Sequence, residues 1–218
     1  MNIKLVLSAL LMMMLAGCAS NVAFQRGGPS IEATPASFAK TGQEKGLVLL
    51  GVNWSRYWGC ARHQNAQLLS FTFRHMPQQG TDNHEPDMIL ETPNRLFTGR
   101  GFMDYALLVP PGEYALSHFM VKIADSVSEI FRFAVGPDEL IPDGKPYGGS
   151  FHVSAGETVY IGHFGLNCAT KPILWRYYIR KKQFDHDMAF YKTKYPFINP
   201  DNVMYRLFET DIIGRPPE

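Results

Sequence analysis

Gln67-Leu68-Leu69-Ser70-Phe71-Thr72-Phe73-Arg74 is the stretch from which the fold is read. Leu69, Phe71 and Phe73 are apolar, and Ser70, Thr72 and Arg74 alternate with them. Side chains of an extended backbone point to opposite faces in turn. A period of two therefore predicts a strand with one face on a core and one in water. Upstream, residues 47–53 form a nearly continuous apolar run, compatible with a buried strand. Downstream, residues 105–109 form another short apolar run. Pro110-Pro111-Gly112 marks a turn, and residues 113–123 resume an extended pattern.

The same grammar continues to residue 180. Phe151 and Val153 alternate with His152 and Ser154, Ala155-Gly156-Glu157 turns the chain, and residues 158–166 carry apolar side chains on both faces. Ile173, Trp175, Tyr177 and Ile179 alternate with polar Arg176 and Arg180. About seven strands separated by Gly/Pro turns, with little helix between them, predict a mainly β chain built as an antiparallel β-sandwich. One C-terminal helix is predicted over 185–194. Phe184, Met188, Tyr191 and Tyr195 make one apolar stripe, Asp185 and Asp187 sit at its start, Lys192 and Lys194 at its end, and Pro196 stops it. Residues 203–213 are expected to add a short strand. Residues 76–101 and 124–149 read as long loops, the second holding a short strand near 131–135.

The N-terminus follows different rules. After Lys4, an apolar run fills residues 5–16. A dozen residues at ~1.5 Å rise span about 18 Å, short of the ~30 Å hydrocarbon core, so the run suits a signal-peptide h-region better than a membrane span. Leu15-Ala16-Gly17-Cys18 follows directly and resembles the lipobox of bacterial lipoproteins at all four positions. That resemblance implies cleavage before Cys18, diacylglycerol on its thiol and acylation of the new amino group. The expected organisation is a signal peptide over 1–17, a lipidated tether over 18–45 and a β-sandwich domain with a C-terminal helix over 46–218. The Gly-Gly-Pro-Ser run at 27–30 excludes regular structure from part of the tether. Two or more acyl chains make a stable anchor, where one is marginal. Ala19, not Asp, follows the lipidated position. In lipoprotein sorting this implies the outer membrane, on its periplasmic side.

A second resemblance lies further on. Leu108-Val109-Pro110-Pro111-Gly112-Glu113-Tyr114-Ala115-Leu116 is similar to a hairpin of prealbumin-like and carboxypeptidase-regulatory-like β-sandwiches. Residues 151–162 look like the matching segment of small bacterial lipoproteins with that domain. The likeness covers roughly residues 105–181. It implies fold rather than activity, because such sandwiches host many roles.

Lys and Arg total 21 against 20 Asp and Glu, a net charge of +1, and no basic block stands out. Nucleic acid and anionic bilayer surfaces are therefore not expected partners. The expected contacts are the membrane through the lipid, and another envelope protein or peptidoglycan. Three cysteines are present. With Cys18 given to lipid, Cys60 and Cys168 are expected to pair in a compartment where disulfides persist, the alternative being two buried thiols.

Asn53-Trp54-Ser55-Arg56-Tyr57-Trp58-Gly59-Cys60 is the most suggestive binding patch. Aromatic faces stack on sugars, and Arg pairs with carboxylates, so Trp54, Arg56, Tyr57 and Trp58 are candidate ligand contacts. The competing reading has Trp54 and Trp58 filling the end of the sandwich. Catalytic and metal motifs are weak. His118, His152 and His163 fall on predicted strands, but there is no H-x-H or H-E-x-x-H, and Cys60-x-x-His63 lacks a partner pair. Asp185-His186-Asp187 are helical neighbours about 100° apart and do not converge. Gly148-Gly149-Ser150 lacks the strand–turn–helix context of a serine nucleophile. No cofactor is expected. The leading expectation is a lipid-anchored, non-enzymatic binding or scaffolding module. The rival is an envelope enzyme acting on glycan or peptide with dispersed residues.

Overall fold

A computed structural model of the protein describes residues 30–77, 87–93, 101–177 and 180–214. The signal peptide and Cys18 lie outside the described residues. No helix among the described residues is long and apolar enough to cross a membrane.

Eleven described strands form two sheets. The first contains β1 (Gly46–Val52), β5 (Met103–Val109), β9 (Thr158–Asn167), β10 (Ile173–Tyr177) and β11 (Val203–Tyr205), in the order β10-β9-β1-β5. β11 pairs with the first half of β9. The second contains β2 (Arg56–Trp58), β3 (Asn65–Met76), β4 (Met88–Glu91), β6 (Gly112–Ala124), β7 (Ile130–Val135) and β8 (Ser150–Val153). β3 and β6 pair along their whole length at its centre. The free side of β3 is shared by β2 and β4, and that of β6 by β7 and β8.

The expectation of an antiparallel array of about seven strands needs correcting. The first sheet is mixed, because β9 runs parallel to both β1 and β11. Hairpins oblige antiparallel pairing, but the whole second sheet intervenes between β1 and β9, so no turn dictates their direction.

The two sheets face each other across one core. Val48, Leu50 and Val52 of β1 and Ile161, Phe164 and Leu166 of β9 meet Phe71 and Phe73 of β3 and Tyr114, Leu116 and Val121 of β6. The opposite face of β1, with Leu47 and Leu49, packs under helix α3 (Lys181–Lys194), whose Phe184, Met188 and Tyr191 join Tyr160 and Ala106 in a second cluster. The first sheet is thus a middle layer covered on both faces, which is why residues 47–52 read as an unbroken apolar run. Two short helices, α1 (Pro35–Thr41) and α2 (Pro137–Leu140), lie outside the sheets. Residues 30–45, the second half of the expected tether, lie against the body. The backbone N–H groups of Ser30 and Ala33 donate to the carbonyls of Ile89 and Ala106 at 2.8 and 2.7 Å, and Ala33 is buried.

Cys60 and Cys168 form a disulfide that links the turn after β2 to the end of β9, and so one sheet to the other. Two details of strand phase differ from expectation. A register shift between Leu68 and Ser70 puts Leu68, rather than Leu69, into the core. On β10 the inward residues are Leu174 and Arg176, while Ile173, Trp175 and Tyr177 are half-buried. Arg176 is admitted because Gly162 and Gly214, lacking side chains, lie against its chain.

Candidate functional site

The site is laid out by the strands of the middle layer. Pairing sets Asp104 of β5 and His163 of β9 opposite Gly51 of β1, one on either side. Strand alternation alone would put His163 on the core face with Ile161. A register shift adds one residue to β9 between the partners of Leu49 and Gly51. Gly162, at φ +106°, adopts the conformation this needs. His163 therefore joins Tyr160 on the face toward α3, while Phe164 returns to the core. Gly51 is the matching concession. A Cβ there would lie 2.2 Å from His163 Cδ2, so the imidazole fits only because β1 has no side chain at that point.

α3 closes over this row. It begins at Lys181, a turn earlier than expected, and Asp187 falls on its buried side with Phe184, Met188 and Tyr191. Asp187 Oδ2 lies 3.6 Å from His163 Nε2. Gln183 Nε2 donates to Asp187 Oδ1 at 2.9 Å. Neither His163 Nε2 nor Asp187 Oδ2 has a hydrogen-bond partner among the described residues. The Phe102 ring stacks on His163 with centroids 4.2 Å apart and planes within 19°. Above them opens a cleft of about 1020 Å³, walled by Phe102 and Phe190 and rimmed by Arg180, Lys182 and His186.

Burial sets the charge states. His163 is pushed down to about 4 by desolvation, against the pull of Asp187, so its imidazole is neutral near pH 7. The Asp104 carboxyl is pushed up to about 6, first by burial and then by Asp187, while Lys194 opposes. The buried phenols of Tyr160 and Tyr191 are driven well above their usual range, mainly by desolvation. The floor therefore offers both hydrogen-bond donors and acceptors, and the rim is cationic. Such an arrangement can hold a ligand that has hydroxyls at one end and negative charge at the other, and it can hold a proton on Asp104.

The residues expected as ligand contacts are split by the fold. Trp54 is fully buried, its indole N–H donating to Tyr105 Oη at 2.7 Å, so it is out of a ligand's reach. Trp58 is 68% exposed, with the Arg56 guanidinium 5.6 Å from its ring. Tyr57 lies against Tyr177, whose ring meets Phe102 edge-on. Tyr57 itself does not line the cleft.

The strand histidines do not converge. His118 is buried on β6, His152 is exposed on β8, and only His163 lines the cleft. Among the described residues no three His, Cys, Asp or Glu side chains are grouped to hold a metal ion. Asp185, expected with Asp187 to stabilise the helix start, pairs instead with Lys181 on the surface, and Asp187 belongs to the cleft.

Asp104, Phe102, Arg180 and Asp187 join the site from outside the residues expected to bind. For Asp187 a signal existed. It lies three residues after Phe184 and four before Tyr191, on the apolar stripe, where a charge has no packing purpose. No protein-family model, curated protein or solved structure matches this chain.

Proposed function

We propose that the protein is a lipid-anchored envelope module that binds a small ligand, its β-sandwich body held at the periplasmic side of the outer membrane through Cys18. The lipobox at residues 15–18 supports the anchor. One observation carries the binding role: the Asp104–Gly51–His163 row under Asp187, with two buried polar atoms left unpaired at the floor of an open cleft. Leaving such atoms unpaired costs roughly 1–3 kcal/mol each, a cost that a ligand supplying hydrogen bonds removes.

Radiolabelled palmitate should enter the wild-type chain in cells and be absent from Cys18→Ser, which should leave the membrane fraction. Crosslinking in intact cells from a photoreactive residue at position 190 should capture a cleft occupant. Equal labelling of both chains, or capture of bulk lipid alone, refutes the proposal.

The enzymatic reading draws on one feature, the Asp104 carboxyl held near 6 beside a second carboxylate, as in acid–base pairs. Turnover of a glycan lost in Asp104→Asn would favour it.

A further inference from the structure

Resting on that reading of the cleft, we propose that its ligand is an acidic sugar unit, whose ring hydroxyl bridges His163 Nε2 and Asp187 Oδ2 and whose carboxylate meets Arg180 and Lys182. The 3.6 Å gap is too long for a direct hydrogen bond, yet an oxygen can sit ~2.8 Å from both atoms. A hydroxyl suits the two partners together, because it donates to the carboxylate and accepts from a neutral imidazole N–H. Both atoms are shielded from water. The hydroxyl therefore enters by displacing the Gln183 amide, an exposed side chain on the cleft wall.

The other end of the ligand is fixed by charge. Among the described residues neither Arg180 nor Lys182 forms an ion pair. They flank the start of α3, whose first turn has no side-chain cap at Arg180. Unpaired N–H groups at a helix start favour an anion, and a guanidinium takes a carboxylate in a fork. Between the two ends, Phe102 and Phe190, 39% and 56% exposed, present faces for the C–H side of a pyranose.

The test is saturation-transfer NMR on the full chain in detergent, with glucuronate, glucose, acetate and glutamate at ~10 mM, a concentration that fills a millimolar site. The expected order is glucuronate first, glucose weaker, acetate and glutamate without transfer. Arg180→Gln should weaken glucuronate about ten-fold and leave glucose unchanged. Asp187→Leu should abolish transfer from both sugars. It should also keep or raise the urea midpoint, because Leu continues the apolar stripe of α3 and removes a buried charge.

Acetate or glutamate binding as well as glucuronate, or unchanged binding in Asp187→Leu, overturns the proposal. So does a crystal grown in glucuronate with only water between His163 and Asp187. Loss of sugar binding with palmitate labelling intact removes the ligand class and leaves the anchor standing. Sugar binding without labelling does the reverse.

Discussion

Reducing the Cys60–Cys168 bond should cost this protein a large share of its stability. The bond closes a loop spanning 108 residues. In the chain-entropy treatment, a cross-link over that separation removes about 5 kcal/mol worth of freedom from the unfolded chain at 25 °C. The native contacts around it do not depend on the sulfur–sulfur bond and should persist on reduction. Cys60 is buried, and the Ala61 N–H donates to the Cys168 carbonyl at 3.1 Å whether or not the sulfurs are joined. The loss should therefore fall on the unfolded side.

Equilibrium urea unfolding with and without reductant measures it. With a slope of ~2.5 kcal/mol per M, the midpoint should drop by roughly 2 M. The slope itself should rise, because an unlinked chain exposes more surface. Cys60→Ala/Cys168→Ala should reproduce the reduced protein within about 1 kcal/mol and ignore reductant. If thiol titration shows both sulfurs free and the midpoint has not moved, the loop argument is wrong.

Gly51→Ala should destabilise by about 1–3 kcal/mol, since the new methyl meets the His163 ring at 2.2 Å. An unchanged thermal midpoint would mean that the imidazole turns aside freely. Acid should weaken the fold through His118 as well as His163, because burial holds each at about 4 against an ordinary 6.5. The unfolded chain takes up a proton as pH falls through 6.5 and the folded chain does so only near 4, so this stability is lost on acidification across that window. Asp104, raised to about 6, acts in the opposite direction below pH 6, and part of the loss is offset there. Between pH 7 and 5, His118→Leu should show about 1–2 kcal/mol less loss than wild type by urea midpoints. Equal losses would refute the burial argument.

Periodicity locates most strands and the long helix, but not always their phase: Ser70 and Thr72, which alternation sends to water, are buried. β1 and β9 are apolar on both faces because each lies in a middle layer. The stripe 184–188–191–195 located α3. What escaped was anything decided by pairing between distant segments. The parallel register of β1 with β9 has no local signature. The extra residue at Gly162, which turns His163 away from the core, is set by that register. Arg176 faces inward because two glycines far from it in sequence leave room. Asp104 gave no sign in its own neighbourhood, because its significance comes from β1 and α3 beside it.

The way strands share borders in this fold limits how copies of it can add to one another. Among the described residues no central strand has a long bare rim. β2 and β4 divide one side of β3, β7 and β8 one side of β6, and β10 and β11 one side of β9. These outer pieces run only three to six residues. β5, the longest outer strand at seven, has a carbonyl claimed by Ala33. Long unpaired rims template addition of neighbouring molecules, and short, broken ones do not. Under the proposed lipid anchor, copies crowded at high two-dimensional density would thus meet without zipping into polymers.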